Sequence, residues 1–270
     1  MKDYPTLPLN DGRALPQLGF GTWQIEDARA AEAVRTALDV GYRMVDTAAI
    51  YQNERGVGAG LAGAPEIFLQ TKIWNESQGY DRTLKAAEKC LERLGRGSVD
   101  MLLIHWPVPS QDLFVDSWKA LVRLREEGRA KSIGVSNFRA EDLDRIVDAT
   151  GVVPALNQVE LHPAFQQRPL REVHAAMGIV TQSWSPLGQG GGLGDPVIAA
   201  IAAETGQDAA AVVLRWHLQH GLCAIPKASG RAHIEANFRC LGFTLSDEQM
   251  ARIDALDRAD GRIGPDPATF

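Results

Sequence analysis

The chain has 270 residues, 45% of them hydrophobic, which is enough to bury one large core, and the whole of 1–270 is expected to form one domain. Its net charge is −6 with both signs dispersed, so it has neither a basic stripe to neutralise phosphates nor a polybasic segment for anionic lipid, and nucleic-acid and membrane partners are not expected. No apolar run approaches the ~20 residues of a spanning helix and the opening residues hold no signal-like stretch, so the expected address is the cytoplasm.

Leu7 to Leu18, with Asn10-Asp11-Gly12 at its centre, reads as a β-hairpin with a tight primed turn. Apolar strand-like runs then alternate with amphipathic helical ones. A first strand is expected near Gly19 to Thr22, and the next at Met44–Asp46, Ile67–Lys72, Val99–His105 and Ser132–Ser136. Ala155–Gln158, Ile179–Trp184 and Cys223–Pro226 complete eight. Between them lie helical stripes such as Phe114, Trp118, Leu121 and Val122, ended by Gly128, and Leu143, Ile146 and Val147, ended by Gly151. Eight such units predict a (β/α)8 TIM barrel, with the N-terminal hairpin plugging its bottom. Ser246-Asp247-Glu248-Gln249 is a capping box, opening an extra C-terminal helix through Met250, Ile253 and Leu256. A polar tail containing Gly264-Pro265-Asp266-Pro267 follows it.

Function in such a barrel sits at the C-terminal ends of its strands. Asp46, Lys72 and His105 end three consecutive strands, each after residues that read as buried. Singly, each has a plain structural explanation: a loop cap, a cation reaching the rim, a satisfied core histidine. Together they converge on one patch, because adjacent strands lie ~4.8 Å apart, and Tyr51 on the loop after Asp46 can reach it. The set suits carbonyl reduction. A phenol is a poor acid at neutral pH, and the Lys72 ammonium is expected to bring its pKa toward the working range while Asp46 holds the lysine. His105, neutral, would orient the carbonyl oxygen. Trp23, Trp74 and Trp106 flank the barrel mouth and are expected to line a substrate pocket together with Tyr51 and His105.

Seven segments carry a resemblance that covers almost the whole chain: Leu18-Gly19-Phe20-Gly21-Thr22-Trp23, Gly41 to Ala48 followed by Tyr51, Thr71-Lys72-Ile73-Trp74-Asn75, Leu103-Ile104-His105-Trp106-Pro107, Gly134-Val135-Ser136-Asn137-Phe138, Asn157 to Pro163, and Trp184-Ser185-Pro186-Leu187-Gly188. In this order and spacing they resemble the signatures of the aldo-keto reductases, and the tail is most similar to the prokaryotic branch that includes the 2,5-diketo-D-gluconate reductases. The resemblance implies an NADPH-dependent reductase of aldehydes and ketones, with NADH also usable, working as a monomer on a small-molecule carbonyl. It implies the catalytic tetrad Asp46, Tyr51, Lys72 and His105. Ser136, Asn137 and Gln158 would hold the nicotinamide carboxamide, Trp184 would stack on its ring, and Ser185 and Leu187 would meet the pyrophosphate, followed by Gly188 and Gln189 at the start of a loop with five glycines. Gly21, Thr22, Trp23 and Asp46 would complete the nicotinamide end. Lys227, Ala228, Ser229, Arg231, His233 and Asn237 would face the adenosine end.

That end departs from the family pattern, with Ala228 for a serine, His233 for an arginine and Ala236 for a glutamate; Arg231 stands close enough to compensate. No G-x-G-x-x-G follows the first strand, so the phosphates are assigned to the last two strand loops rather than a Rossmann turn. No metal is expected, and His217 and His220, three apart, read as packing or surface residues. Cys90, Cys223 and Cys240, odd in number and without C-x-x-C spacing, read as structural. A regulatory cofactor-binding protein on the same barrel, like the family's potassium-channel β subunits, is the competing reading; an intact tetrad counts against it.

Overall fold

A computed structural model describes residues 4–270. Strands β1 (Thr6–Pro8) and β2 (Ala14–Pro16) pair antiparallel as the expected hairpin. The turn differs from expectation. Gly12 N–H bonds the carbonyl of Leu9 at 3.0 Å, Gly12 takes φ +85°, and Asn10 and Asp11 keep negative φ. The left-handed residue is therefore the one after the turn, where only glycine is unstrained, rather than the central pair of a primed turn. Leu9 and Leu15 pack with Met44, Phe68, Met101 and Leu103, which seals the bottom of the barrel as expected.

Eight further strands follow in parallel: β3 (Phe20–Gly21), β4 (Met44–Asp46), β5 (Phe68–Ile73), β6 (Val99–Ile104), β7 (Ala130–Ser136), β8 (Leu156–Glu160), β9 (Val180–Trp184) and β10 (Cys223–Ala224). They are hydrogen-bonded in chain order, and the first meets the last. Gly19 N–H donates to Ala224 O at 2.8 Å, Ala224 N–H to Gln17 O at 3.0 Å and Gly21 N–H to Pro226 O at 3.0 Å, which closes the (β/α)8 barrel.

The helices are α1 (Asp27–Val40), α2 (Glu54–Gly60), α3 (Tyr80–Leu94), α4 (Phe114–Glu126), α5 (Ala140–Thr150) and α6 (Arg168–Met177). They are followed by α7 (Pro196–Thr205), α8 (Ala209–Gln219), α9 (Arg231–Phe238) and α10 (Asp247–Asp254). Their apolar stripes, for example Phe114, Trp118 and Leu121 of α4, cover the outer faces of the strands. The Ser246 capping box forms in both directions, with the Ser246 hydroxyl accepting from Gln249 N–H at 3.2 Å and Gln249 Oε1 from Ser246 N–H at 3.0 Å. Helix α10 stops at Asp254, two residues short of Leu256. Among the described residues no single helix is long and apolar enough to cross a membrane. The three cysteines are buried and free.

Candidate active site

The C-terminal ends of β4, β5 and β6 bring together the residues that the sequence singles out. Lys72 Nζ lies 2.7 Å from Asp46 Oδ2, 2.9 Å from the carbonyl of Thr47 and 3.4 Å from the Tyr51 hydroxyl. Lys72 is wholly buried and Asp46 nearly so. Such a pair is weak evidence for stability, since taking both charges out of water costs about what their attraction returns; its presence points to a role for the ammonium. The rings of Tyr51 and His105 stand edge to face, 5.8 Å apart, and Trp74 stands 5.1 Å from His105.

Burial pulls the Lys72 ammonium below its ordinary pKa, against the opposing charge and hydrogen bond of Asp46 and the charge of Glu54. Burial, reinforced by the Asp46 charge, pushes the Tyr51 phenol well above its usual range. The expectation that Lys72 brings the phenol down is therefore not the resting balance, because burial and then the Asp46 charge set it. The phenol rests neutral, with its proton in place. Burial, and then the Lys72 charge, push His105 well below the ordinary histidine value, so its imidazole is neutral. His105 Nδ1 is buried without a partner. With Nδ1 enclosed and unpartnered, Nε2 is the ring nitrogen left to meet a ligand in the cavity.

These groups open into a cavity of about 580 Å³. Trp23, Trp74 and Trp106 line it with Ile50. Asp46 and Lys227 are its charged lining residues among those described. Of the three residues assigned to a carboxamide, Asn137 and Gln158 reach the cavity. Ser136 does not: it is fully buried, and its hydroxyl donates to the Gln158 carbonyl at 2.8 Å and accepts from Asn137 at 3.0 Å. Asn137, at φ +64°, spends its amide on the His105 carbonyl and Ser136 and its oxygen on Trp184 Nε1 at 2.8 Å. It thus fixes the indole plane. Both amide protons of Gln158 are engaged, with Asp46 at 3.1 Å and Gln182 at 2.6 Å, so toward a ligand it offers only an acceptor.

Gly21, Trp23, Ser185, Gln189 and Lys227 border the same cavity. Thr22 lies behind it, bonding the Asp46 carbonyl at 2.9 Å. Leu187 and Gly188 face instead a neighbouring cavity of about 710 Å³, between the glycine-rich loop and the segment after α10. Ser229 and Arg231 border a third cavity, against α1. Arg231 pairs with Glu235 at 3.3 Å and Asp39 at 3.5 Å, His233 is exposed, and Ala228 and Asn237 are buried. His217 is buried between Ser183 Oγ at 3.2 Å and the Pro186 carbonyl at 3.0 Å, a packing role that supports the loop after β9. His220 bonds Asp254 at 2.7 Å. Among the described residues no group of three or more His, Cys, Asp or Glu side chains is arranged to hold a metal.

The polar tail is the part of the site that the sequence reading missed. Ile263, Gly264, Pro265 and Phe270 form a wall of the cavity, and the Phe270 ring packs 4.4 Å from that of Trp106. Buried Glu160, at the end of β8, holds the tail by accepting from Ile263 N–H at 2.6 Å and Gly264 N–H at 2.8 Å. A Cβ on Gly264 would collide with the Trp184 ring and Glu160 Oε2. The signal available in the sequence was a glycine and two large apolar side chains, Ile263 and Phe270, in an otherwise polar stretch.

The aldo/keto reductase family model matches residues 17–258. An aldo-keto reductase of Mycobacterium sp. (strain KMS) is 50% identical, over 98% of both chains. Methylglyoxal reductase DkgA of Escherichia coli (strain K12) is 44% identical, over 100% of this chain and 99% of that one. Gox0644, solved as a mutant in complex with NADPH, superposes with a TM-score of 0.98 at 50% identity, over 100% of this chain and 99% of that one. The chain belongs to the aldo/keto reductase family.

Proposed function

We propose that the chain reduces small, uncharged aldehydes and ketones to alcohols with NADPH, using Tyr51 as proton donor assisted by Lys72, Asp46 and His105. The observation that carries this reading is the fully buried Lys72 ammonium, 2.7 Å from Asp46 and 3.4 Å from the Tyr51 hydroxyl, beneath an aromatic pocket. A nicotinamide fits the donor set: Gln158 has only an acceptor left, Trp184 is held flat by Asn137, and Lys227 supplies a cation along the cavity wall. Bound there, the dihydronicotinamide supplies the hydride that goes to the carbonyl carbon.

The neutral Nε2–H of His105 orients the carbonyl oxygen toward Tyr51. As negative charge develops on that oxygen, the phenol gives up its proton, and the adjacent Lys72 ammonium stabilises the phenolate left behind. Asp46 keeps the ammonium in place. The tryptophans and Phe270 present an apolar wall that favours substrates without charge. The Escherichia coli relative named methylglyoxal reductase is in keeping with a small dicarbonyl.

The adenosine end supports use of NADH beside NADPH, because Ala228 supplies no hydroxyl to a 2′-phosphate and the exposed His233 lacks the permanent charge and fork of an arginine. Action as a monomer is part of the same proposal. Loss of NADPH absorbance with a panel of aldehydes, diketones and carboxylate-bearing keto acids tests the reading. Turnover of the uncharged members is expected, and no turnover of any carbonyl would overturn it.

A further inference from the structure

Beneath the pocket, four hydrogen bonds close a ring inside the barrel. Gln70 Nε2 donates to Asp46 Oδ1 and to Gln182 Oε1, both at 2.7 Å. Gln158 Nε2 donates to the same two oxygens, at 3.1 and 2.6 Å. The residues come from β4, β5, β8 and β9, and all four are buried. Strands β5 and β9 stand on opposite sides of the closed barrel, so the Gln70–Gln182 bond crosses its axis. Each of the two amide nitrogens spends both protons, and each of the two oxygens accepts twice.

Barrel interiors are filled by layers of branched apolar side chains, and Met44, two residues before Asp46 on β4, belongs to an apolar cluster with Phe68 and Met101. The glutamine layer is not optimised as filler. Gln70 Oε1 is buried without a partner, and Gln182 Nε2 faces only sulfur, Cys223 at 3.2 Å and Met44 at 3.9 Å. Unsatisfied amides in a core are destabilising, and their presence calls for a functional explanation. The ring supplies one. It saturates Asp46 Oδ1 and so leaves Oδ2 facing Lys72 Nζ at 2.7 Å. It also ties that carboxylate to Gln158, which lines the pocket.

We propose that Gln70 and Gln182 are positioning residues for carbonyl reduction, orienting Asp46 across the barrel so that it holds the Lys72 ammonium beneath Tyr51. The inference rests on the assignment of Tyr51, Lys72 and Asp46 made under the proposed function. Lys72 is faced by Asp46 from β4, Tyr51 from the loop after it, Glu54 from α2 and His105 from the end of β6. Burial lowers the ammonium pKa and Asp46 opposes that, so a carboxylate free to turn away lets the pKa fall further.

The test compares Gln182→Met, Gln70→Leu and Tyr51→Phe with the native enzyme. Steady-state reduction is followed from about pH 6 to 10, NADPH affinity by fluorescence and folding by Tm. Gln182→Met is the decisive variant, because methionine keeps the volume and Gln182 does not touch Asp46; it carries the test even where Gln70→Leu fails to fold. Both are expected to lower kcat about tenfold with KM and NADPH affinity within about twofold, and to move the alkaline limb of the kcat profile to lower pH. A lowered Tm with native kcat and a native alkaline limb would show that the glutamines only fill the core, and would overturn the proposal. Tyr51→Phe separates the two levels. If it is inactive while the glutamine variants are normal, only this inference fails; if it retains turnover, the reading beneath it fails as well.

Discussion

Glu160, the last residue of β8, accepts the backbone N–H of Gly264 at 2.8 Å across 104 positions of sequence, and with the same carboxylate bonds Ile263 at 2.6 Å. Burial alone would raise the Glu160 carboxyl. The His162 hydrogen bond and the two tail amides outweigh it and hold the group below its ordinary value. A single carboxylate thereby fastens the wall that carries Phe270 over Trp106.

Glu160→Gln places an amide donor where a second acceptor is needed, so one tail N–H loses its partner. The tail should then be cut faster by protease, and KM for a small substrate should rise several-fold with kcat little changed. Gly264→Ala, which collides with Trp184 and Glu160, should do the same. Because folding depresses the Glu160 pKa, its contribution is complete above the ordinary carboxyl value of about 4.5 and is lost as pH falls through the lowered one. Protease sensitivity of the native tail should therefore increase only on the acid side of that value; equal sensitivity in native and Glu160→Gln proteins would remove the fastening role.

Tyr51→Phe removes one oxygen from a side chain that donates its proton in the proposed reaction. Reduction should fall by ~10²–10⁴-fold, the usual loss for a general acid, while NADPH affinity measured by fluorescence stays near native. Turnover near the native rate with unchanged binding would move proton donation elsewhere, with Lys72, 3.4 Å from the phenol, and His105 the neighbouring donors.

Lys72→Met keeps the length of the side chain and deletes its charge. Since the ammonium is proposed to act as the phenolate forms, kcat should fall far more than KM rises. The native alkaline limb carries the same information. Burial lowers the Lys72 pKa from 10.5 while the phenol is pushed well above 10.0, so the lysine loses its proton first. Activity should decline with rising pH at a midpoint below 10.5, and a midpoint above it would show that Lys72 is not the group that titrates.

The meeting of Asp46, Lys72 and His105 beside Tyr51 was legible because the end of a strand is a local property: the three are polar residues closing apolar runs, and parallel pairing brings such ends together. The direction of the Tyr51 shift was not, since it is set first by how far the phenol is removed from water and then by the Asp46 charge, neither of which a strand pattern shows. The tail escaped notice because its docking partner, Glu160, lies on another strand, and composition alone describes Gly264-Pro265-Asp266-Pro267 as a solvated end. Gln70 and Gln182 carried a signal that went unused, each a polar residue inside an apolar strand. The turn at Asn10-Asp11-Gly12 was misassigned because the dipeptide favours two turn types, and the position of the glycine after the turn decides between them.

Cofactor choice is the last expectation and rests on α9. A 2′-phosphate is recognised by charge-assisted hydrogen bonds worth about 1.5–3 kcal/mol each, or roughly 10- to 150-fold in affinity. Ala228 supplies no hydroxyl, and His233, exposed on α9, lacks the permanent charge and the fork of an arginine. Arg231 is engaged with Glu235 at 3.3 Å and Asp39 at 3.5 Å, but both pairs are exposed, where such contacts are worth ~0–1 kcal/mol and are readily exchanged for a phosphate. NADPH should therefore be preferred only modestly, with NADH usable. His233→Arg should raise the NADPH-to-NADH ratio of kcat/KM several-fold or more, and Arg231→Ala should lower it. A native enzyme that uses NADPH alone would contradict the modest preference; if Arg231→Ala then admits NADH, Arg231 has taken over the phosphate, and if it does not, Lys227 is the remaining cation along that wall.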